Sequence, residues 1–175
     1  YNIQVLLDLH GAPGSQSGES NTGCSMKYHT KNPLDFNPSH YYWDTDWNKL
    51  WTTKAVVELA KMCQQKGKTC YGVEILNEPA FPIGGLNRDH LRDWYQVALK
   101  AARVEGGLDM NKPLMINEWY PHWPLMWSGK FKKYFPESVY GNVQVDIHIY
   151  DFHDTISSEK LFWSMVDFPA VARIA

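Results

Sequence analysis

A carboxamide and a carboxylic acid stand side by side at Asn77-Glu78, where the strand-like run VEIL (73–76) breaks off before Pro79. Two imidazoles occupy comparable places. His10 closes IQVLLDLH (3–10), and His148 lies in VQVDIHIY (143–150), two residues before Tyr150. A carboxyl group can give or take a proton, an amide can hold a hydroxyl, and an imidazole can do either near neutral pH. These groups together suit proton transfer to a polar substrate. Nothing suits a metal: His148 and His153 are five apart, His10 sits alone, and no His/Cys set has zinc spacing. GAPGSQSG (11–18) lacks the Lys-Ser/Thr of a phosphate loop. We therefore expect neither metal nor cofactor.

The elements that must position these groups follow from periodicity. Four runs of strand length are rich in Val, Ile, Leu or Tyr and bounded by Gly, Pro or Asn: 3–10, 70–78, 113–119 and 143–150. Helical stripes lie between them. Residues 46–65 carry Trp47, Leu50, Trp51, Val56, Leu59 and Met62, and residues 87–104 carry Leu91, Trp94, Tyr95, Ala98, Leu99 and Ala102. Asn87 suits an N-cap and Gly106 a stop, and a further helix starts after Ser157, with Leu161, Phe162 and Met165 on one face. Strands alternating with helices predict an α/β fold with a parallel sheet. Side chains alternate along a strand, so Asp8 with His10, Glu74 with Glu78, and Asp146 with His148 and Tyr150 each share a face. Polar groups at the C-terminal ends of parallel strands mark the working face of a barrel or a doubly wound sheet. Asp8, Glu74 and Asp146 lie deeper and are expected as interior partners of one another or of an Arg.

The 175 residues fit one domain, with 44% hydrophobic and 21% charged residues. The net charge of −2 gives no surface for a nucleic acid, and GKFKKY (129–134) is expected to be a solvated helix end. No apolar run approaches the ~20 residues of a membrane span, and no signal peptide is visible. The chain begins at Tyr1, inside a predicted strand, so a fragment is expected. Cys24, Cys63 and Cys70 are expected as buried small hydrophobes, a Cys63–Cys70 disulfide remaining open. The long stretch 11–45 is loop-like. Aromatic residues make up 14%, with eight Trp. Tyr41, Tyr42, Trp43, Trp119, Tyr120 and Trp123 fall in loop-like segments, where rings serve sugar stacking or pack a loop over itself.

LDLHGAPGSQSG (7–18), YGVEILNEP (71–79) and VDIHIYD (145–151), in that order and each ending a predicted strand, resemble glycoside hydrolase family 5. The similar branch is that of the exo-β-1,3-glucanases and related β-glucosidases. The resemblance implies a (β/α)8 TIM barrel, of which residues 1–175 supply about four βα units, strands three to six. It implies a retaining hydrolase of β-glucosidic bonds in a glucan or β-glucoside, secreted or cell-wall associated. Glu78 matches the general acid/base and Asn77 the amide that holds the sugar 2-OH. His10, His148 and Tyr150 match residues lining the same subsite. Trp119 and Phe152 are candidates for stacking, since Glu19 and His153 stand where the family has its clamp rings. A retaining enzyme needs a second carboxylate ~5–5.5 Å from the first. Glu118 ends the next strand only, and a seventh strand would fall near position 180, so the nucleophile is expected outside this segment. Missing segments or other chains would then cover the open barrel edges. Two alternatives stay open: a non-catalytic glycosidase-derived module that binds carbohydrate or serves a larger assembly, and an enzyme using Glu78 with Glu118.

Overall fold

A computed structural model describes residues 3–17, 22, 43–79, 88–117 and 130–146. The elements run β1 (Val5–Asp8), α1 (Asp46–Lys66), a 3-10 turn (Gly67–Thr69), β2 (Cys70–Glu74), α2 (Arg88–Val104), β3 (Leu114–Asn117), two short helices α3 (Phe131–Tyr134) and α4 (Glu137–Tyr140), and β4 (Val143–Asp146). The four strands form one parallel sheet in the order β1-β2-β3-β4, each beside its successor. The α/β class and the parallel sheet match the expectation. The predicted helix after Ser157 and the N-cap at Asn87 lie outside the described residues.

Register sorts the side chains into two faces. Leu7 pairs with Val73, Val73 with Leu114, and Leu114 with Val143. This row, with Leu9, Ile75, Ile116 and Val145, joins the core with α1 and α2. The other row holds Asp8, Glu74, Met115 and Gln144, with Asn117 beside Asp146. The sheet is therefore apolar where it meets helices and largely polar on the reverse.

The two long helices meet the core differently from one another. In α2 all six residues of the predicted stripe are buried: Leu91, Trp94, Tyr95, Ala98, Leu99 and Ala102. In α1 the prediction fails on the face. Thr52, Val56, Val57, Ala60 and Cys63 are buried, whereas Trp47, Leu50, Trp51 and Met62 are exposed. Apolar residues flank this helix on both sides, and the smaller, branched set lets it approach closely. A Cβ built on Gly106, beyond α2, would lie 2.6 Å from the Ala60 Cβ, so only glycine fits there. Thr45 caps α1, its hydroxyl accepting from the Asn48 amide, and Asp46 follows in the first turn.

Trp43, predicted in a loop, is wholly buried. Its indole N–H donates to Thr52 and its ring meets Trp94 edge-on at 4.8 Å. Asp44, next to it, accepts from Lys49 of α1 and His90 of α2. Burial works to raise the Asp44 pKa, but those two hydrogen bonds and their charges outweigh it and hold the carboxyl below its usual value. At the other end of the helices, Cys63 and Cys70 form a disulfide that staples α1 to the start of β2. This settles the expectation of free buried thiols against that pair; Cys24 lies outside the described residues. Lys130, Lys132 and Lys133 are exposed around the short α3, as expected of that basic stretch.

Arg103, near the end of α2, carries the densest polar network. Its guanidinium donates to the carbonyls of Asp109, Lys112, Tyr140 and Asn142, tying α2 to the segments entering β3 and β4. Burial pulls its pKa down to about 10, with Asp109 acting the other way, so it keeps its charge at neutral pH. Arg103→Met leaves these carbonyls unpaired and should cost at least about 2 kcal/mol in urea unfolding. Arg103→Lys should recover less than half, because an ammonium cannot reproduce the planar fork. A loss below about 0.5 kcal/mol in Arg103→Met, the range of an ordinary surface change, would show that water replaces the network.

Candidate active site

The ends of β1 and β2 bring the first candidates together. His10 follows β1 by two residues, and its Nδ1 lies 2.7 Å from Asp8 Oδ2. Asp8 thus partners the imidazole of its own segment, where sequence reasoning expected an Arg or another carboxylate. Half of the His10 side chain remains open, at 58% exposure.

Beyond β2 the ladder continues but slips. Val73 and Ile75 donate to Pro113 and Met115 on the β3 side at 3.1 and 2.9 Å. On the β1 side, Leu9 N–H donates to Glu74 O. A regular parallel ladder would return the next bond from Leu76 to Leu9 O. It comes instead from Asn77, one residue late, at 3.1 Å. This single-residue insertion is a bulge, the device that re-aims side chains at a strand end. It corrects the expectation that Glu74 and Glu78 share a face, which assumed unbroken alternation. Glu78 itself has φ +40°, a region seldom adopted by residues other than glycine. Pro79 follows at once and removes the donor a further ladder bond would need.

Both residues of the pair are buried. Glu78 is 7% exposed and Asn77 1%. The Asn77 Nδ2 has no hydrogen-bond partner among the described residues. A buried amide donor without an acceptor is costly and uncommon, so it marks a place where an oxygen from elsewhere would fit. The loop after β1 embraces this corner. Gln16 is wholly buried, and its amide nitrogen donates to the carbonyls of both His10 and Asn77 while its oxygen accepts from Ala12 N–H. The Ala12–Ser15 turn, with Gly14 and Ser15 at positive φ, delivers Gln16 there. Ser15 and Ser17 hydroxyls both meet that of Thr22.

One strand further, Asn117 closes β3. Its Nδ2 lies 3.4 Å from Glu74 Oε1, its carbonyl accepts from the Tyr95 hydroxyl, and its Oδ1 has no partner among the described residues. Glu74 is buried, as expected for an interior group. Sequence reasoning did not single out Gln16 or Asn117. The only signal for the first was a glutamine inside a Gly/Ser loop, and for the second an amide beside Glu118. Glu118, His148, Tyr150, Trp119 and Phe152 lie outside the described residues, so the site is seen on its β1 and β2 side. No cluster of three metal-ligating side chains occurs among the described residues, and none of their helices is long and apolar enough to cross a membrane.

No family model matches the chain. It is similar to several curated proteins. The probable glucan 1,3-beta-glucosidase A of Emericella nidulans is 35% identical over 103 residues, 59% of this chain and 22% of that protein. The glucan 1,3-beta-glucosidase of Candida oleophila is 30% identical over 165 residues, 91% of this chain and 34% of that protein. That of Schwanniomyces occidentalis is 29% identical over 179 aligned residues, 98% of this chain and 35% of that protein. The chain thus spans between about a fifth and a third of the length of these relatives.

The orphan amide makes its own prediction. Replacing it with an apolar group of similar size, Asn77→Leu, should leave the unfolding free energy of the parent protein within about 1 kcal/mol, or raise it. Urea unfolding checks this. A loss above about 2 kcal/mol would mean that Nδ2 has a structural partner after all.

Proposed function

We propose that the chain is part of a retaining glycoside hydrolase of family 5 that acts on β-glucosidic bonds, glucan being the substrate class. The observation that carries this reading is the buried Asn77-Glu78 pair, set by a bulge at the end of β2, in a chain similar along most of its length to proteins named glucan 1,3-beta-glucosidase. The successive strand order and the one-sided cover of helices support a (β/α)8 barrel, of which β1 to β4 would be strands three to six.

In this reading Glu78 is the general acid/base. It gives its proton to the glycosidic oxygen as the C1–O bond breaks, and a second carboxylate takes C1 to form a glycosyl-enzyme. Glu78 then draws a proton from the water that releases the sugar. Asn77 Nδ2, the donor without a partner, takes the sugar 2-OH oxygen, a bond that strengthens as the transition state forms. His10, with Asp8 on its Nδ1, lines the same subsite, joined by His148 and Tyr150, and Trp119 and Phe152 offer stacking faces. The nucleophile belongs to strand seven, outside the four strands seen here. Ile3 and Val5, 74% and 48% exposed at the β1 edge, are surfaces that further parts of the barrel or another chain would cover. The Cys63–Cys70 disulfide suits a secreted or cell-wall enzyme, since such bonds persist in oxidising compartments.

The test uses the full-length parent protein with laminarin and aryl β-glucosides. Glu78→Gln should lower kcat/KM by about 10²–10⁴-fold, the usual contribution of a general acid/base. An unchanged rate in Glu78→Gln would remove this role. A parent that binds laminarin yet cleaves no β-glucoside would establish the carbohydrate-binding module instead.

A further inference from the structure

We infer that Gln16 is a positioning residue for the Glu78 carboxyl; the inference rests on the acid/base role proposed above. Its amide is wholly buried and all three of its hydrogen bonds go to backbone groups. Nε2 donates to His10 O at 2.9 Å and to Asn77 O at 2.8 Å, and Oε1 accepts from Ala12 N–H at 3.0 Å. The Asn77 carbonyl belongs to the peptide whose nitrogen is that of Glu78. A peptide is a rigid plane, so holding its oxygen fixes the ψ of Asn77 and the frame from which the φ of Glu78 is measured. The same residue is held on its other side by Asn77 N–H on Leu9 O. Gln16 and Leu9 therefore grip the bulge from both sides, immediately before a residue with φ +40°. Such a backbone persists only where its surroundings over-determine it.

The grip also couples two sites. One nitrogen holds the carbonyls of both His10 and Asn77, so the imidazole and the acid are referenced to a common point. A glutamine is suited to this because it combines a two-donor nitrogen with an acceptor oxygen. Glutamate lacks the donors, and methionine matches the shape but lacks all three bonds. The function of the GSQSG loop in this reading is to carry that amide into the core.

A purely structural role and a positioning role give different kinetics. A general acid matters when the leaving group is a sugar or alkoxide, and matters little when it is 2,4-dinitrophenolate, which departs without a proton. In the full-length parent, Gln16→Met should lower kcat/KM on laminarin oligosaccharides by on the order of 10²-fold, the scale of a misplacement of about 1 Å. On 2,4-dinitrophenyl β-glucoside the loss should stay below about threefold, the spared step being the one that needs no acid. Gln16→Asn, which keeps an amide one methylene shorter, should show the same leaving-group dependence in milder form and serves if the methionine variant fails to fold. Glu78→Ala is assayed beside them. If Glu78→Ala is selective for poor leaving groups while both Gln16 variants lose the two substrates equally, or lose neither, the inference is overturned and the acid/base reading stands. If Glu78→Ala shows no such selectivity, the acid/base reading falls and the inference falls with it.

Discussion

A hydrogen bond that arrives one residue late decides the geometry of this molecule's candidate site. Leu9 O should receive Leu76 N–H and receives Asn77 N–H instead. Everything up to that point obeys a regular parallel ladder, with Leu7 beside Val73 and Asp8 beside Glu74. Everything after it departs: a buried amide without a partner, a buried carboxyl on a backbone of positive φ, and a proline. A bulge of this kind is an inserted residue that the surroundings must stabilise. Here that support comes from across the sheet, through Leu9 and the Gln16 amide, which makes the β1 loop part of the β2 site.

The rest of the fold serves to keep the two strand ends in register. Trp43 and Asp44 join the starts of α1 and α2, through the ring contact with Trp94 and the bonds from Lys49 and His90. At the opposite end, Arg103 and the disulfide tie the helices to the strand entrances. Tyr95 reaches from α2 to the Asn117 carbonyl and so anchors the end of β3. The fixed points lie on both ends of the layer, and the strand ends between them carry the polar groups.

How much of this was legible in the sequence depends on the kind of signal. The strands announced themselves by composition, and α2 by a stripe whose every member is buried. Helix α1 was misread because Trp47, Trp51, Leu50 and Met62 are large and apolar yet face outward, while Thr52 and Cys63 face inward. Size and hydropathy do not say which of two apolar faces meets the sheet; close approach to Gly106 and the sheet does. The location of Asn77-Glu78 at a strand end was readable from Pro79. The bulge was not, because an inserted residue leaves no trace in a period-two pattern. Gln16 was hidden for a related reason: its three partners are backbone groups far apart in sequence, and a loop glutamine bound only to backbone has no compositional mark.

The sheet's reverse face bears on which α/β architecture these four strands come from. A doubly wound sheet is covered by helices on both sides, and its strands are apolar on both. Here Asp8, Glu74, Asn117, Gln144 and Asp146 share the face away from α1 and α2. Burying a second helix layer there would leave carboxylates against an apolar stripe, with a desolvation cost that only pairing could offset. A polar face instead suits the inside of a closed sheet, where side chains from different strands partner one another, as Asn117 does with Glu74. The strand order agrees, since it never reverses direction across the sheet. The unpaired Oδ1 of Asn117 then has a simple meaning: within a closed barrel it would take a donor from strands beyond these four.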